Sequence, residues 1–198
     1  MIVGIILSAG ESKRMGTPKQ LLPWGNTTVL QHVVDVAAAS RLETIRLILG
    51  YRAEEIAGRI TVPAKAGIAI NQDFREGMGS SVKCGIKNSP PDAEAFMVLL
   101  GDQPFIDTKV IDTLIASYRA GRQGITIPVH NGRRGHPVIF DSQYREELLS
   151  ISDQGAREIV KKHTENIFEV RMDSPNVLND IDTPQDYQEA RKQAGESF

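Results

Sequence analysis

The chain has 198 residues, of which 40% are hydrophobic and 24% charged, values that suit one globular domain built on one core. A formal net charge of −2 and a pI near 6.1 give no global attraction to nucleic acid or to an anionic membrane, so any basic site has to be local. The single cysteine, Cys84, excludes an internal disulfide framework and a thiolate metal cluster; a reducing compartment is permitted, and the cytoplasm is the default expectation.

In chain order, the opening "MIVGIILSAG" has no basic region before its apolar residues, and the apolar run is too short to span a membrane. It predicts a buried strand. Short runs rich in β-branched residues predict strands at Ile2–Leu7, Thr44–Leu49, Gly67–Ile70, Ala95–Leu100, Ile125–Val129, Pro137–Phe140 and Ile167–Val170. Between the first two, Val29, Leu30, Val33, Val34 and Ala37 fall on one helical face, with Thr27 or Thr28 as N-cap. Further helices are expected at Ala53–Ile60, Ser80–Asn88, Thr108–Arg119, Gln154–His163 and Thr183–Ala194. The alternation predicts an α/β fold, a mostly parallel sheet with helices on both faces. "HNGRRGHP" at His130–Pro137 resembles a loop between paired strands, so a small antiparallel excursion is expected there. In such a sheet ligands bind at the carboxyl ends of the strands, so the loops that follow strands are the ones to read.

The first of these is "LSAGESKRMGTPKQLLPWG" at Leu7–Gly25. It matches neither G-x-x-x-x-G-K-[ST] nor G-x-G-x-x-G, because Gly16 follows Gly10 by six positions and Lys19 lies three beyond Gly16. The physics of an anion site is nevertheless present: glycines allow close backbone approach, and Arg14 with Lys13 or Lys19 offsets phosphate charge. The strand Ala95–Leu100 runs into Gly101 and Asp102, which places a carboxylate at a strand end. Mg²⁺ prefers oxygen ligands and commonly combines one or two carboxylates with substrate phosphates. Asp180 and Asp182 are two apart, so in an extended segment they point to the same side, while Thr183 or Asp182 is also a candidate cap for the last helix. "REGMGSSVKCG" predicts a glycine-containing loop entering a helix near Ser80 or Ser81. The histidines show no metal-ligand spacing, Trp24 beside Pro23 is expected to cover a core edge, and Cys84 has no activating neighbour.

The stretch Leu7–Gly25 resembles the N-terminal signature of the nucleotidyltransferases related to molybdenum cofactor cytidylyltransferase and the guanylyltransferase MobA, with Ser8 where alanine is usual. "NQDFREGMGSSVKCG", "LLGDQPFI", "RRGHPVIF", "SDQGAREIV" and "NDIDTPQDY" extend the resemblance over nearly the whole chain. It implies a single-domain, Rossmann-like three-layer α/β/α nucleotidyltransferase fold, with a nucleotide-binding half at about 1–105 and an acceptor-binding half at about 106–198. It also implies catalytic roles for Arg14, Lys19 and Asp102, and nucleotide binding by Leu7, Ser8, Ala9, Gly10, Ser12, Arg14, Gly16, Lys19, Gly79, Ser80, Ser81, Gly101 and Asp102. Acceptor binding falls to Gln103, Pro104, His136, Pro137, Gly155 and Ala156, and the metal, Mg²⁺ or Mn²⁺, to Asp102 and Asp182 with Asp180 as a further candidate. Arg157 reads more simply as a surface residue.

The expected reaction is transfer of CMP from CTP to the phosphate of molybdenum-bound molybdopterin, with a molybdoenzyme as a transient partner and neither nucleic acid nor membrane involved. Two alternatives stand beside it. One is a nucleotidyltransferase using GTP or another NTP with a different acceptor such as a sugar phosphate. The other is a non-catalytic pterin-binding or insertion protein for a molybdoenzyme.

Overall fold

The computed structural model describes residues 1–121, 124–153 and 155–195. Its elements in chain order are β1 (Ile2–Ser8), β2 (Pro23–Trp24), β3 (Thr27–Thr28), α1 (Val29–Ala39), β4 (Thr44–Leu49), α2 (Ala53–Ala57), β5 (Ala66–Ile70), α3 (Met78–Lys87) and β6 (Ala95–Leu100). They continue with α4 (Thr108–Arg119), β7 (Ile125–His130), β8 (Arg133–Arg134), β9 (Val138–Asp141), α5 (Arg145–Ser150), α6 (Arg157–Lys162), β10 (Ile167–Arg171) and α7 (Pro184–Gln193).

The main sheet runs β10-β7-β9-β6-β1-β4-β5, and β8 pairs with β7. β1 is parallel to both β4 and β6, β4 to β5, and β7 to β10. The excursion expected near His130 is β9, antiparallel to both β6 and β7, together with the short β8. The chain moves outward from β1 through β4 to β5 and then returns to the other side of β1 with β6. That reversal is the topological switch point, and it puts the carboxyl ends of β1 and β6 side by side where an open α/β sheet takes its ligand.

Strand alternation divides the core in two. Ile2 and Ile6 of β1, with Met97 and Leu99 of β6, pack on one face against Leu30 and Val34 of α1 and Ile111, Leu114 and Ile115 of α4. Val3, Ile5 and Leu7, with Phe96 and Val98, pack on the other face against Val82 and Ile86 of α3 and Leu148 of α5. Ile5, Ile6 and Phe96 are fully buried, and each such side chain contributes about 1.5–3 kcal/mol from removal of apolar surface from water. A third cluster joins Trp24, Val29, Ile181 and Ala190, so Trp24 does cover a core edge, with Phe105 edge-on at 5.3 Å. The Tyr187 hydroxyl donates to the Pro23 carbonyl at 2.6 Å, fastening α7 to β2.

All seven expected strands are present. Thr28 is the cap of α1, accepting from the Gln31 N–H at 3.2 Å. Three helix boundaries differ from expectation by two residues or more. α2 ends at Ala57 before Gly58, α3 starts at Met78 because Gly77 occupies its N-cap, and α6 starts at Arg157 after Ala156. Gln154, the expected first residue of that last helix, lies outside the described residues. The hairpin β2–β3 and helix α5 are additional. No helix among the described residues is long and apolar enough to cross a membrane.

Candidate active site

A cleft of about 450 Å³ opens at the switch point. Among the residues expected from sequence, it gathers Leu7, Ser8, Ala9, Gly10, Arg14, Lys19, Ser81, Gly101, Asp102, Asp180 and Asp182. Its other walls are Gln20, Phe74, Gly77, Met78, Leu100 and Arg157.

The loop after β1 is shaped by hydrogen bonds that sequence spacing does not reveal. The side chain of Gln20, 3% exposed, donates through Nε2 to the carbonyls of Ser8 and Gly10, both at 3.2 Å. The Leu7 carbonyl accepts from Gly101 N–H at 2.9 Å and the Ala9 carbonyl from Tyr51 N–H at 3.0 Å. All four carbonyls from Leu7 to Gly10 are therefore held by protein donors, an arrangement suited to a loop that meets anions through its N–H groups. Ser12 adopts a left-handed conformation (φ 53°), accepts from the Lys19 N–H at 3.3 Å and donates to Gln20 Oε1 at 3.3 Å. Ser12 thus braces the loop from behind. It and Gly16 line a separate depression of about 240 Å³ with Lys13, whose ammonium pairs with Glu11 at 2.8 Å.

The carboxylates arrive from two distant segments. Asp102 follows Gly101, which packs so closely that a Cβ there would lie 2.8 Å from Ser8 Oγ; glycine lets the end of β6 rest on the end of β1. Ile181 is 1% exposed and its N–H donates to the Asp102 carbonyl at 3.0 Å. With Ile181 turned into the core, its neighbours Asp180 and Asp182 face the cleft. Thr183, not Asp182, caps α7 in a reciprocal capping box with Asp186, which leaves the Asp182 carboxylate for the site.

Lys19 Nζ joins the two segments, bonding Asp102 Oδ2 and, at 2.9 Å, Asp182 Oδ1; Arg14 bonds Asp182 Oδ2 at 2.7 Å. Burial disfavours the Lys19 charge, but Asp102 and then Asp182 outweigh it and hold the ammonium above its ordinary pKa. Burial likewise opposes ionisation of Asp182, yet Lys19 and Arg14 bring its pKa below the usual carboxylate value. Among the described residues Asp180 has no such hydrogen-bonded cation. Burial, reinforced by the charges of Asp102 and Asp182, raises its pKa.

The chemistry of this acid-rich corner suits a hard cation. Asp102 Oδ1 is buried without a hydrogen-bond partner, a lone-pair donor set against a cleft. No group of three or more His, Cys, Asp or Glu side chains among the described residues forms a metal site alone. Two carboxylates completed by ligand phosphates match the way Mg²⁺ is held, and that donor set fits a divalent ion brought in with a nucleotide.

A second cavity of about 260 Å³ adjoins the first, sharing Met78 and Arg157. It contains His136 and Ala156 among apolar walls that include Val82, Val98, Ile127 and Phe140. Burial first, and then the nearby positive charge of Arg157, lower the His136 pKa to about 4, so the ring is neutral at physiological pH. Among the described residues His136 Nδ1 has no hydrogen-bond partner.

The remaining expected site residues lie outside both linings. Gly79 packs on the Ser152 backbone, and Ser80 donates to the Gly77 carbonyl at 2.8 Å while accepting from Asn71 Nδ2 at 2.8 Å. Gln103 and Pro104 are buried behind Asp102, Pro137 is buried beyond His136, and Gly155 faces Met78. Burial raises the pKa of the Cys84 thiol, which disfavours its thiolate. Arg157 is exposed, as expected of a surface residue, and also lines both cavities, and Gln20 supports the loop; neither of these placements was legible from spacing. A basic residue in the first turn of a helix, where the dipole disfavours it, is the one signal that marks Arg157.

The family described as MobA-like NTP transferase domain matches residues 4–167. A molybdenum cofactor cytidylyltransferase from Escherichia coli is 28% identical over 191 residues, covering 95% of this chain and 94% of the relative. A nicotine blue oxidoreductase from Paenarthrobacter nicotinovorans is 28% identical over 197 residues, covering 92% of each chain. The crystal structure of Rv0371c from Mycobacterium tuberculosis, a complex with manganese, is 26% identical, covers 95% of this chain and 96% of its own, and superposes with a TM-score of 0.79.

Proposed function

Starting from the premise that this chain belongs to the MobA-like NTP transferase family of nucleotidyltransferases, we propose that it transfers CMP from CTP to the phosphate of molybdenum-bound molybdopterin and releases pyrophosphate. The observation that carries this reading is the meeting of Asp102 and Asp182 with Lys19 and Arg14 beside a glycine loop, in one cleft at the switch point. The similarity to a protein named as a molybdenum cofactor cytidylyltransferase supports the choice of base and acceptor.

In this scheme an acceptor phosphate oxygen attacks the α-phosphorus in line, the bond from that phosphorus to the bridging oxygen breaks, and pyrophosphate leaves with the electron pair. An acceptor phosphate is already anionic near neutral pH, so no strong general base is needed. The work left to the protein is alignment and charge stabilisation. The loop Leu7–Gly10 and Ser81 border the nucleotide, and Arg14 and Lys19 hold the departing phosphates. Lys19 exchanges its carboxylate partners for phosphate oxygens as the nucleotide enters. Asp102 and Asp182 would hold Mg²⁺ or Mn²⁺, with Asp180 beside them; the ion supplies charge neutralisation at the reacting phosphates. Residues 1–105 provide most of the donor site, and His136 and Ala156 of the 106–198 half face the acceptor.

The test is pyrophosphate release with CTP, GTP, ATP and UTP, with and without molybdopterin and Mg²⁺ or Mn²⁺, and with sugar phosphates as competing acceptors. Release that requires CTP and molybdopterin together supports the reading. Release with another NTP or a sugar phosphate replaces its substrate, and pterin binding without release replaces transfer by a carrier role. Asp102→Asn should lower release on the order of 100-fold with an unchanged circular dichroism spectrum, and full turnover in that variant would sink the scheme.

A further inference from the structure

Arg157 is the first residue of α6, where a positive side chain opposes the helix dipole, so its placement does not serve the helix. Among the described residues its guanidinium has no hydrogen-bond or ion-pair partner. Of the other basic groups at the two cavities, Lys19 and Arg14 pair with carboxylates and Arg134 with Glu169 at 2.8 Å, while the exposed Lys161 lines the apolar cavity but not the acidic cleft. Among the described residues, Arg157 is also one of only two side chains, with Met78, that line both the acidic cleft and the apolar cavity. It stands at the doorway between them.

The chemistry of the cavity fits one kind of molecule. Val82, Val98, Ile127 and Phe140 offer apolar walls, and the neutral ring of His136, with Nδ1 unpartnered, offers a hydrogen-bond acceptor. A flat heteroaromatic ring bearing N–H groups suits that interior. A phosphate monoester attached to it would emerge past Arg157 toward the cleft that holds the triphosphate. Guanidinium is the side chain best suited to take two phosphate oxygens at once and fix their direction.

We propose that Arg157 is the residue that captures the phosphate of a ring-bearing acceptor and presents it to the donor cleft, coupling the two cavities. This rests on the nucleotidyl-transfer reading, and it adds the residue that positions the acceptor's nucleophile. The atoms involved are the Arg157 guanidinium N–H groups and two non-attacking phosphate oxygens; the third oxygen is left free to attack. His136 gains from the same event, because a bound phosphate offsets the positive charge that Arg157 directs at its ring.

The experiment separates this inference from the reading beneath it by using a non-reactive binding arm. The probe is 4-methylumbelliferyl phosphate, a flat ring with a phosphate monoester, compared with 4-methylumbelliferone, on the wild-type protein, Arg157→Ala and Arg157→Lys. Binding of CTP with Mg²⁺ is measured in parallel by calorimetry. The expected result is that the wild type prefers the phosphate ester by about tenfold or more, that Arg157→Ala loses the preference, and that Arg157→Lys keeps part of it. An arginine contributes a charge-assisted pair of hydrogen bonds where lysine contributes a point charge. CTP affinity should stay within about twofold in all three proteins, since its phosphates rest on Arg14 and Lys19. An unchanged phosphate preference in Arg157→Ala, no preference in the wild type, or a selective loss of CTP affinity would each overturn the proposal. With molybdopterin, the variant should raise KM for the acceptor far more than it lowers kcat. Absence of turnover in the wild type would count against the reading of the substrate while leaving the phosphate-binding result intact.

Discussion

Replacing Lys19 with methionine keeps an unbranched apolar stem and removes the ammonium with its hydrogen bonds, leaving Asp102 and Asp182 without the group that joins them. The side chains of Lys19, Asp102 and Asp182 are 16%, 19% and 32% exposed. An exposed ion pair contributes about 0–1 kcal/mol, whereas removing one partner of a fully buried pair costs about 3–5 kcal/mol. The site lies between these limits, so a loss of about 2 kcal/mol is expected, which for a chain of this size lowers Tm by roughly 4–8 °C. The perturbation should also invert the response to metal. In the wild type a divalent ion has to displace Lys19 from both carboxylates; in Lys19→Met it meets Asp102 free and competes only with Arg14 for Asp182, so millimolar Mn²⁺ without nucleotide should stabilise the variant more than the wild type. Scanning fluorimetry with and without Mn²⁺ reads both effects. The pH dependence follows from the same groups. Asp182 is depressed below its ordinary 3.8, so its contribution is present above that pH and is lost as pH falls through the lower folded value. Lys19 is raised above 10.5, so its contribution is complete below that pH and is lost as pH rises through the higher folded value. A variant that melts within about 1 °C of the wild type, with the same Mn²⁺ response, would refute the view that Lys19 holds the two segments together.

Three further outcomes follow from other parts of the fold. Gly79→Ala would put a Cβ 1.8 Å from the Ser152 carbonyl oxygen, a backbone clash; overpacking of this kind costs about 1–3 kcal/mol or more, and an unchanged urea midpoint would contradict the packing of α3 on that loop. Thr183→Ala removes the cap of α7 and should cost about 1 kcal/mol, seen as a Tm lower by roughly 2–4 °C. His136 is lowered from 6.5 to about 4, so as pH falls across that interval the unfolded chain takes up a proton that the folded chain resists. The wild type should lose stability there, and His136→Gln should lose correspondingly less in urea titrations at stepped pH.

Much of the chain was legible before its structure because its elements obey local rules. Runs such as Ala95–Leu100 are short, apolar and bounded by turns, and a helix such as Thr108–Arg119 shows its buried face at helical spacing; both stand where expected. Gly10 and Asp102 drew attention by their place after strands, the role expected of Asp182 came from the family resemblance, and all three line the cleft. Helix α5 escaped notice because a single turn and a half, with only Leu148 buried, has too short a period to register. Long-range relations were out of reach for a different reason. Nothing in the spacing says that Lys19 reaches across 83 positions to Asp102 and 163 to Asp182, that Gln20 ties back the carbonyls of the loop beside it, or that Arg157 stands between two cavities. Local sequence by itself determined the α/β alternation and which side chains were chemically eligible. Only the tertiary structure decided which of them meet, because meeting depends on the reversal of strand order at β1 and on the docking of α7 against β2, and these are packing outcomes of segments far apart in the chain.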